Sequence, residues 1–107
     1  MNKIVKIALG ATLLLTLGAT TVNADAAKGQ KYYSKFLKGA CGVSGADFAA
    51  KHTQDEWTEL KESGELKNEI KGACSSVKAK RLKDKYMNSY YDFFHEYAND
   101  SGNVPSC

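Results

Sequence analysis

The sequence predicts an all-α protein made of one small helical domain with about five helices. Proline occurs once in 107 residues, and the apolar residues recur at spacings of three and four, which is typical of amphipathic helices. No segment shows the alternation of apolar and polar residues that indicates a β-strand. The chain is short enough for a single hydrophobic core, so we expect one domain over residues 25–107, with a tail from about residue 99.

Residues 1–24 have the pattern of a secretory signal peptide. Lys3 and Lys6 give a basic start, residues 7–17 are apolar, and Val22-Asn23-Ala24 is a small-residue cleavage site. The apolar run is shorter than the roughly 20 residues that span a bilayer. We therefore expect an exported protein with no membrane attachment after cleavage. Without Lys3 and Lys6 the formal charge of +3 falls to about +1, which gives no general reason to bind nucleic acid.

The first helices are predicted from aromatic pairs and glycines. A helix over residues 26–38 pairs Tyr32 with Phe36 one turn apart, and Gly39 is expected to end it. A short helix follows over residues 45–51. Thr53 and Glu56 have the spacing of a capping box, so a third helix should begin there and end at Gly64.

The second half of the chain continues the helical pattern. A fourth helix is expected over residues 65–71, and the basic segment 75–85 should form a short helix or a helical turn. The last helix, over residues 85–98, has the strongest amphipathic pattern. Its aromatic residues fall on one face: Tyr86, Tyr90, Phe93, Phe94 and Tyr97.

Three cysteines follow the signal peptide, in a compartment where disulfides persist. Cys41 and Cys74 each lie near a glycine and a predicted helix end, so we favour a disulfide between them, although three cysteines permit three single pairings. Cys107 would then keep a free thiol on the tail, and it could link two chains. Pairing of Cys107 with Cys41 or Cys74 is the alternative.

The first and last helices, with the cysteine and glycine-rich loop after the first, resemble small class I cytochromes c. Gly29 and Tyr33 match that family's G-x-x-x-Y, and Cys41 stands near one thiol of its haem-attachment motif C-x-x-C-H. The second thiol and the histidine of the motif are missing. The segments from His52 to Trp57 and from Tyr91 to Cys107 are also similar to small exported proteins of Campylobacterota, some of them described as cytochrome-like.

The resemblance implies a periplasmic protein in which the first and last helices cross. Since covalent haem has no attachment motif, aromatic side chains should fill the centre of the domain. The alternative is an electron carrier with non-covalent haem, held by His52 or His95 together with Met87. The cysteine and histidine spacing indicates neither a zinc site nor a nucleophilic centre, so we expect no enzyme, metal or cofactor.

The sequence thus favours a non-catalytic accessory protein that binds a redox or respiratory partner in the periplasm. Lysine patches dock acidic partners in cytochromes c, and the basic segment 78–85 offers a similar patch. A solvated basic surface is the alternative interpretation of this segment. A third hypothesis is a thiol-dependent protein that acts through Cys107.

Overall fold

The computed structural model describes residues 24–105, and in this part of the chain it is an all-α domain without β-strands. This confirms the predicted fold class. The predicted signal peptide, apart from Ala24, and the thiol of Cys107 lie outside the described residues. Within the described residues, no helix has the length and apolar character needed to cross a membrane.

The first helix is one continuous rod of three parts. Helix α1 (Ala24–Tyr32) leads into a π-helical segment (Tyr33–Leu37), and α2 (Lys38–Cys41) completes the rod. It ends at Gly42, whose φ of 75° is left-handed. The predicted stop at Gly39 was wrong, because a glycine inside a helix costs only about 1 kcal/mol.

The next two helices begin at side-chain caps. Helix α3 (Gly45–Ala49) starts where the backbone N–H of Asp47 donates to Ser44 Oγ over 3.1 Å. Helix α4 (Gln54–Ser63) starts at the predicted capping box, in which Thr53 and Glu56 each accept from the other's backbone N–H. It ends at Gly64 with a φ of 81°, as expected.

Helix α5 (Leu66–Ala73) lies close to the predicted range, and the basic segment contains a short 3₁₀ helix (Ala79–Leu82). Helix α6 (Asp84–Glu96) begins near its expected start and ends earlier than predicted. With the first rod counted as one helix, the described residues form five α-helices.

Helices α1 and α6 form the largest contact between elements. Gly29 makes this contact possible, because a Cβ atom at this position would overlap the carbonyl oxygen of Ser89 and lie 2.8 Å from Phe93 Cβ. The missing side chain therefore lets the two backbones touch. This contact fixes the first helix against the last one.

Residues after α6 fold back on the α3–α4 turn. The backbone N–H of Asn99 donates to His52 O over 3.1 Å, and the backbone N–H of Gln54 donates to Asp100 Oδ1 over 2.9 Å. The second bond caps a free donor in the first turn of α4. The described part of the predicted tail is therefore held against the domain.

Candidate functional site

Aromatic rings occupy the centre of the domain. The ring centroids of Trp57 and Phe94 lie 4.6 Å apart, and those of Phe48 and Phe94 lie 4.8 Å apart, with both pairs stacked. Six aromatic side chains of this cluster have no exposed surface: Tyr33, Phe48, Trp57, Tyr90, Phe93 and Phe94. The interior is closely packed by the protein's own side chains.

The polar atoms of three of these rings donate hydrogen bonds to backbone carbonyls. Tyr33 Oη donates to Val43 O over 2.8 Å, and Trp57 Nε1 donates to Ala49 O over 2.9 Å. Tyr90 Oη donates to Arg81 O over 2.9 Å, and its burial raises the pKa of the Tyr90 hydroxyl. Each large ring thus fills volume and satisfies one backbone carbonyl.

Both ring nitrogens of His52 face carboxylates. Nε2 lies 2.7 Å from Glu69 Oε2, and Nδ1 lies 3.4 Å from Glu56 Oε1. The ring also meets the Trp57 indole edge to face at a centroid distance of 4.7 Å. The backbone N–H of Thr53, followed by contact with His52, holds the pKa of Glu56 below its ordinary value.

The other proposed haem ligands do not converge with His52. Met87 lines a cleft with Lys61 and Asp84, whereas His52 lines a different cleft beside α4. The ring of His95 packs against Tyr91 at a centroid distance of 5.5 Å. Because rings fill the interior and His52 is engaged by two carboxylates, the residues present do not fit a haem held by these groups. Among the described residues, no group of three His, Cys, Asp or Glu is placed to hold a metal ion.

The sulfur atoms of Cys41 and Cys74 lie at disulfide-bonding distance, the pairing that the sequence favoured. Cys41 ends α2 and is half-buried, and Cys74 follows α5 and is fully buried in the core. The bond ties the end of the first helix to the end of α5. The cross-link therefore closes the chain between these two helix ends into a loop.

The prominent surface feature joins the first helix to the basic segment. Phe36 stacks on Tyr32 at a centroid distance of 5.7 Å, and the guanidinium carbon of Arg81 lies 3.9 Å from the Phe36 centroid. Tyr86 packs edge to face against both rings. These contacts join the first helix to segment 78–85 and the start of α6, and we use the term basic–aromatic face for the basic and aromatic residues of these elements. It consists of Tyr32, Phe36, Tyr86 and nine basic residues: Lys28, Lys31, Lys35, Lys38, Lys78, Lys80, Arg81, Lys83 and Lys85.

Few acidic residues lie in the elements that form the basic–aromatic face. Asp25 and Asp84 are the acidic residues within its two runs. Within the described part of the chain, the ion pairs are those of His52, so none of the nine basic side chains is salt-bridged. Eight of the nine are exposed, and Arg81 is half-buried on Phe36. The face therefore presents unpaired positive charge to solvent.

Sequence reasoning found half of this face. The segment 78–85 was a candidate from composition, but the lysines of the first helix were missed. Their spacing, from Lys28 through Lys31 and Lys35 to Lys38, was the available signal. The sequence does not predict the contact between Phe36 and Arg81, because these residues are far apart in the chain.

Comparisons with protein-family models, with curated proteins and with solved structures give no match to this chain.

Proposed function

We propose that this protein is an exported, non-catalytic binding module that acts through its surface on a redox or respiratory partner in the periplasm. The observation that carries the proposal is the aromatic packing of the interior, led by Phe48, Trp57 and Phe94. A domain filled by its own rings has no internal place for a prosthetic group. We therefore place the binding site for a partner on the surface of the domain.

We further propose that the domain is related to class I cytochromes c and has lost covalent haem. Two features support this relation. The first and last helices touch at Gly29, which opens the G-x-x-x-Y segment, and the loop after the first helix is closed by Cys41 and Cys74. On this view the cross-link and the rings replace the structural role of the haem.

The test is to express the full chain in its native cells and to isolate it from the periplasmic fraction. The intact mass is expected to match a chain cleaved after Ala24, with no porphyrin mass and with two hydrogens removed by the disulfide. The expected visible spectrum has no Soret band.

A photo-crosslinking residue at Lys83 then reports the partner in the same cells. We expect adducts that contain a redox or respiratory protein, and the same residue placed at Lys51 serves as the control position. One haem per isolated chain would contradict the proposal, as would retention of the full chain in the cytoplasm.

A further inference from the structure

We propose that the cross-link between Cys41 and Cys74 is a redox switch, which a dithiol protein opens by thiol–disulfide exchange at Cys41 Sγ. Opening frees the stretch of chain that follows α5. The proposal rests on the proposed function and gives the chemistry of the redox partner.

The two cysteines of the cross-link differ in burial. Cys74 has no exposed surface and belongs to the core, whereas Cys41 lies at the end of α2 and is partly exposed. A thiolate attacks a disulfide in line with the bond between the sulfur atoms, from the side opposite the sulfur that leaves. Since the line from Cys74 to Cys41 runs from the core toward the surface, a nucleophile outside the domain reaches Cys41 Sγ and not Cys74 Sγ.

The surface around Cys41 is open. A groove is lined by residues that flank Cys41 on both sides in the chain: Ser34, Lys38, Gly39, Gly42, Val43 and Ser44. Gly39 and Gly42 are exposed, and a Cβ atom on either would meet no other part of the described chain within 4 Å. A folded protein that carries the attacking thiolate therefore has room to approach. Disulfides with such an exposed sulfur are the ones that exchange readily.

The exchange proceeds in two steps. In the first, a thiolate of the partner bonds to Cys41 Sγ, the bond to Cys74 breaks, and Cys74 Sγ leaves with the electron pair and takes up a proton. In the second, the other thiolate of the partner attacks its own sulfur in the mixed disulfide, and Cys41 Sγ leaves and is protonated. The dithiol of the partner is oxidised to a disulfide, and the cross-link is reduced to two thiols.

The stretch that reduction frees is held mainly at its two ends. Residues 75–80 are exposed except for Val77, which is half-buried. The cross-link holds the start of this stretch at Cys74, and the hydrogen bond from Tyr90 Oη to Arg81 O holds its end. Loss of the first tether loosens residues 75–80.

Helix α5 has its own contacts with the domain and does not depend on the cross-link alone. Leu66 and Ile70 are buried in the core, and Glu69 Oε2 lies 2.7 Å from His52 Nε2. The reduced Cys74 stays in the core as a small apolar side chain. The two redox states therefore differ in one local segment, which is how a thiol switch acts on a protein surface.

The first experiment asks whether the folded protein is reduced. Cys107→Ala removes the third thiol, and dithiothreitol serves as the dithiol probe at a series of urea concentrations below the unfolding transition. New thiols are alkylated and counted by mass. We expect the reduction rate to change less than about twofold over the series, because attack on Cys41 needs no unfolding. A rate that rises in step with the unfolded fraction would overturn the proposal.

The second experiment identifies the sulfur that is attacked. The probe is a thioredoxin whose second active-site cysteine is replaced by serine, so that the mixed disulfide with the Cys107→Ala protein persists. After digestion under non-reducing conditions, we expect at least about tenfold more adduct on the peptide that contains Cys41 than on the peptide that contains Cys74. Equal adducts, or an excess on Cys74, would overturn the assigned site.

The third experiment compares amide hydrogen exchange of the oxidised and reduced forms of the Cys107→Ala protein. We expect exchange over residues 75–80 to accelerate about fivefold or more on reduction, and exchange over α4 to change less than about twofold. Unchanged exchange over residues 75–80 would contradict the switch. Equal acceleration over both segments would show a loss of the whole fold and would also contradict it.

The two proposals fail in different ways. Haem in the isolated protein would contradict the proposed function without altering how the reduction rate depends on urea. Reduction that requires unfolding, in a protein without porphyrin, would contradict the redox switch alone.

Discussion

Gly29 in α1 and Ser89 in α6 are in contact through their backbones, and a Cβ atom at Gly29 would overlap the Ser89 carbonyl oxygen. The pair lies within the largest helix contact of the domain. The position of α6 against the first helix therefore depends on one missing side chain.

Gly29→Ala should destabilise the domain strongly. The added methyl group meets backbone rather than a mobile side chain, so the helices must separate, at a cost of about 1–3 kcal/mol or more. Gly39→Ala is the matched control, because a Cβ atom there meets nothing within 4 Å. Alanine inside the helix should stabilise by about 0.5–1 kcal/mol. Urea unfolding measures both variants, and similar effects of the two would contradict this packing.

Removal of the cross-link should lower stability substantially. Cys41 and Cys74 lie 33 residues apart, and in the chain-entropy model a loop of that length corresponds to about 3–4 kcal/mol. The double variant Cys41→Ala/Cys74→Ala should unfold at correspondingly lower urea concentration, and Cys107→Ala should not. If reductant leaves the unfolding midpoint of the unmodified protein unchanged, the cross-link has no such role.

Tyr90→Phe tests the link between the core and the basic segment. The ring remains, but Arg81 O loses its hydrogen-bond donor, which should cost about 0.5–1.5 kcal/mol. Amide hydrogen exchange should accelerate over residues 78–83, where the Tyr90 hydroxyl holds the chain. Thr58→Val, which removes a hydroxyl bonded to Tyr91 on another side of α6, is the control. Faster exchange over residues 78–83 in the control would argue against a specific link.

Asp92 gives the domain a predictable response to pH. Burial, followed by the nearby Asp25 charge, raises the pKa of the Asp92 carboxyl. The folded state therefore takes up this proton more readily than the unfolded state, so the Asp92 contribution to stability improves as pH falls from 7 toward the ordinary value of 3.8.

Asp92→Asn mimics the protonated form and should raise Tm at pH 7 by about 2 °C or less. The gain should shrink toward pH 4. Asp55→Asn is the contrasting variant and should lower Tm at pH 7. Asp55 lies in the first turn of α4, where a negative charge is favourable. A lower Tm for Asp92→Asn at pH 7 would contradict the assigned cause.

Local signals explain how much of the fold could be predicted from the sequence. Thr53 and Glu56 act on the first turn of α4, and Gly64 acts on its last turn. Helix α4 begins and ends where these residues predict. The predicted helix end at Gly39 was wrong because the end of a helix also depends on contacts with residues distant in sequence. The rod continues to Cys41, where the bond to Cys74 and the hydrogen bond from Tyr33 to Val43 hold the chain.

The candidate site was less predictable than the fold. Composition identified segment 78–85, and the aromatic spacing of the last helix identified Tyr90, Phe93 and Phe94 as core. The basic–aromatic face needs Phe36 to meet Arg81, and that contact follows from how the first helix lies on α6. Sequence periodicity predicts the buried side of each helix but not which helices pack against each other through these sides.

The most direct test of the filled interior is a titration of the purified protein with haemin, followed by visible absorption. We expect no stoichiometric Soret band, because Phe48, Trp57 and Phe94 occupy the centre of the domain. A saturable one-to-one complex, with a Soret band that is lost in His52→Ala or Met87→Ala, would contradict the account.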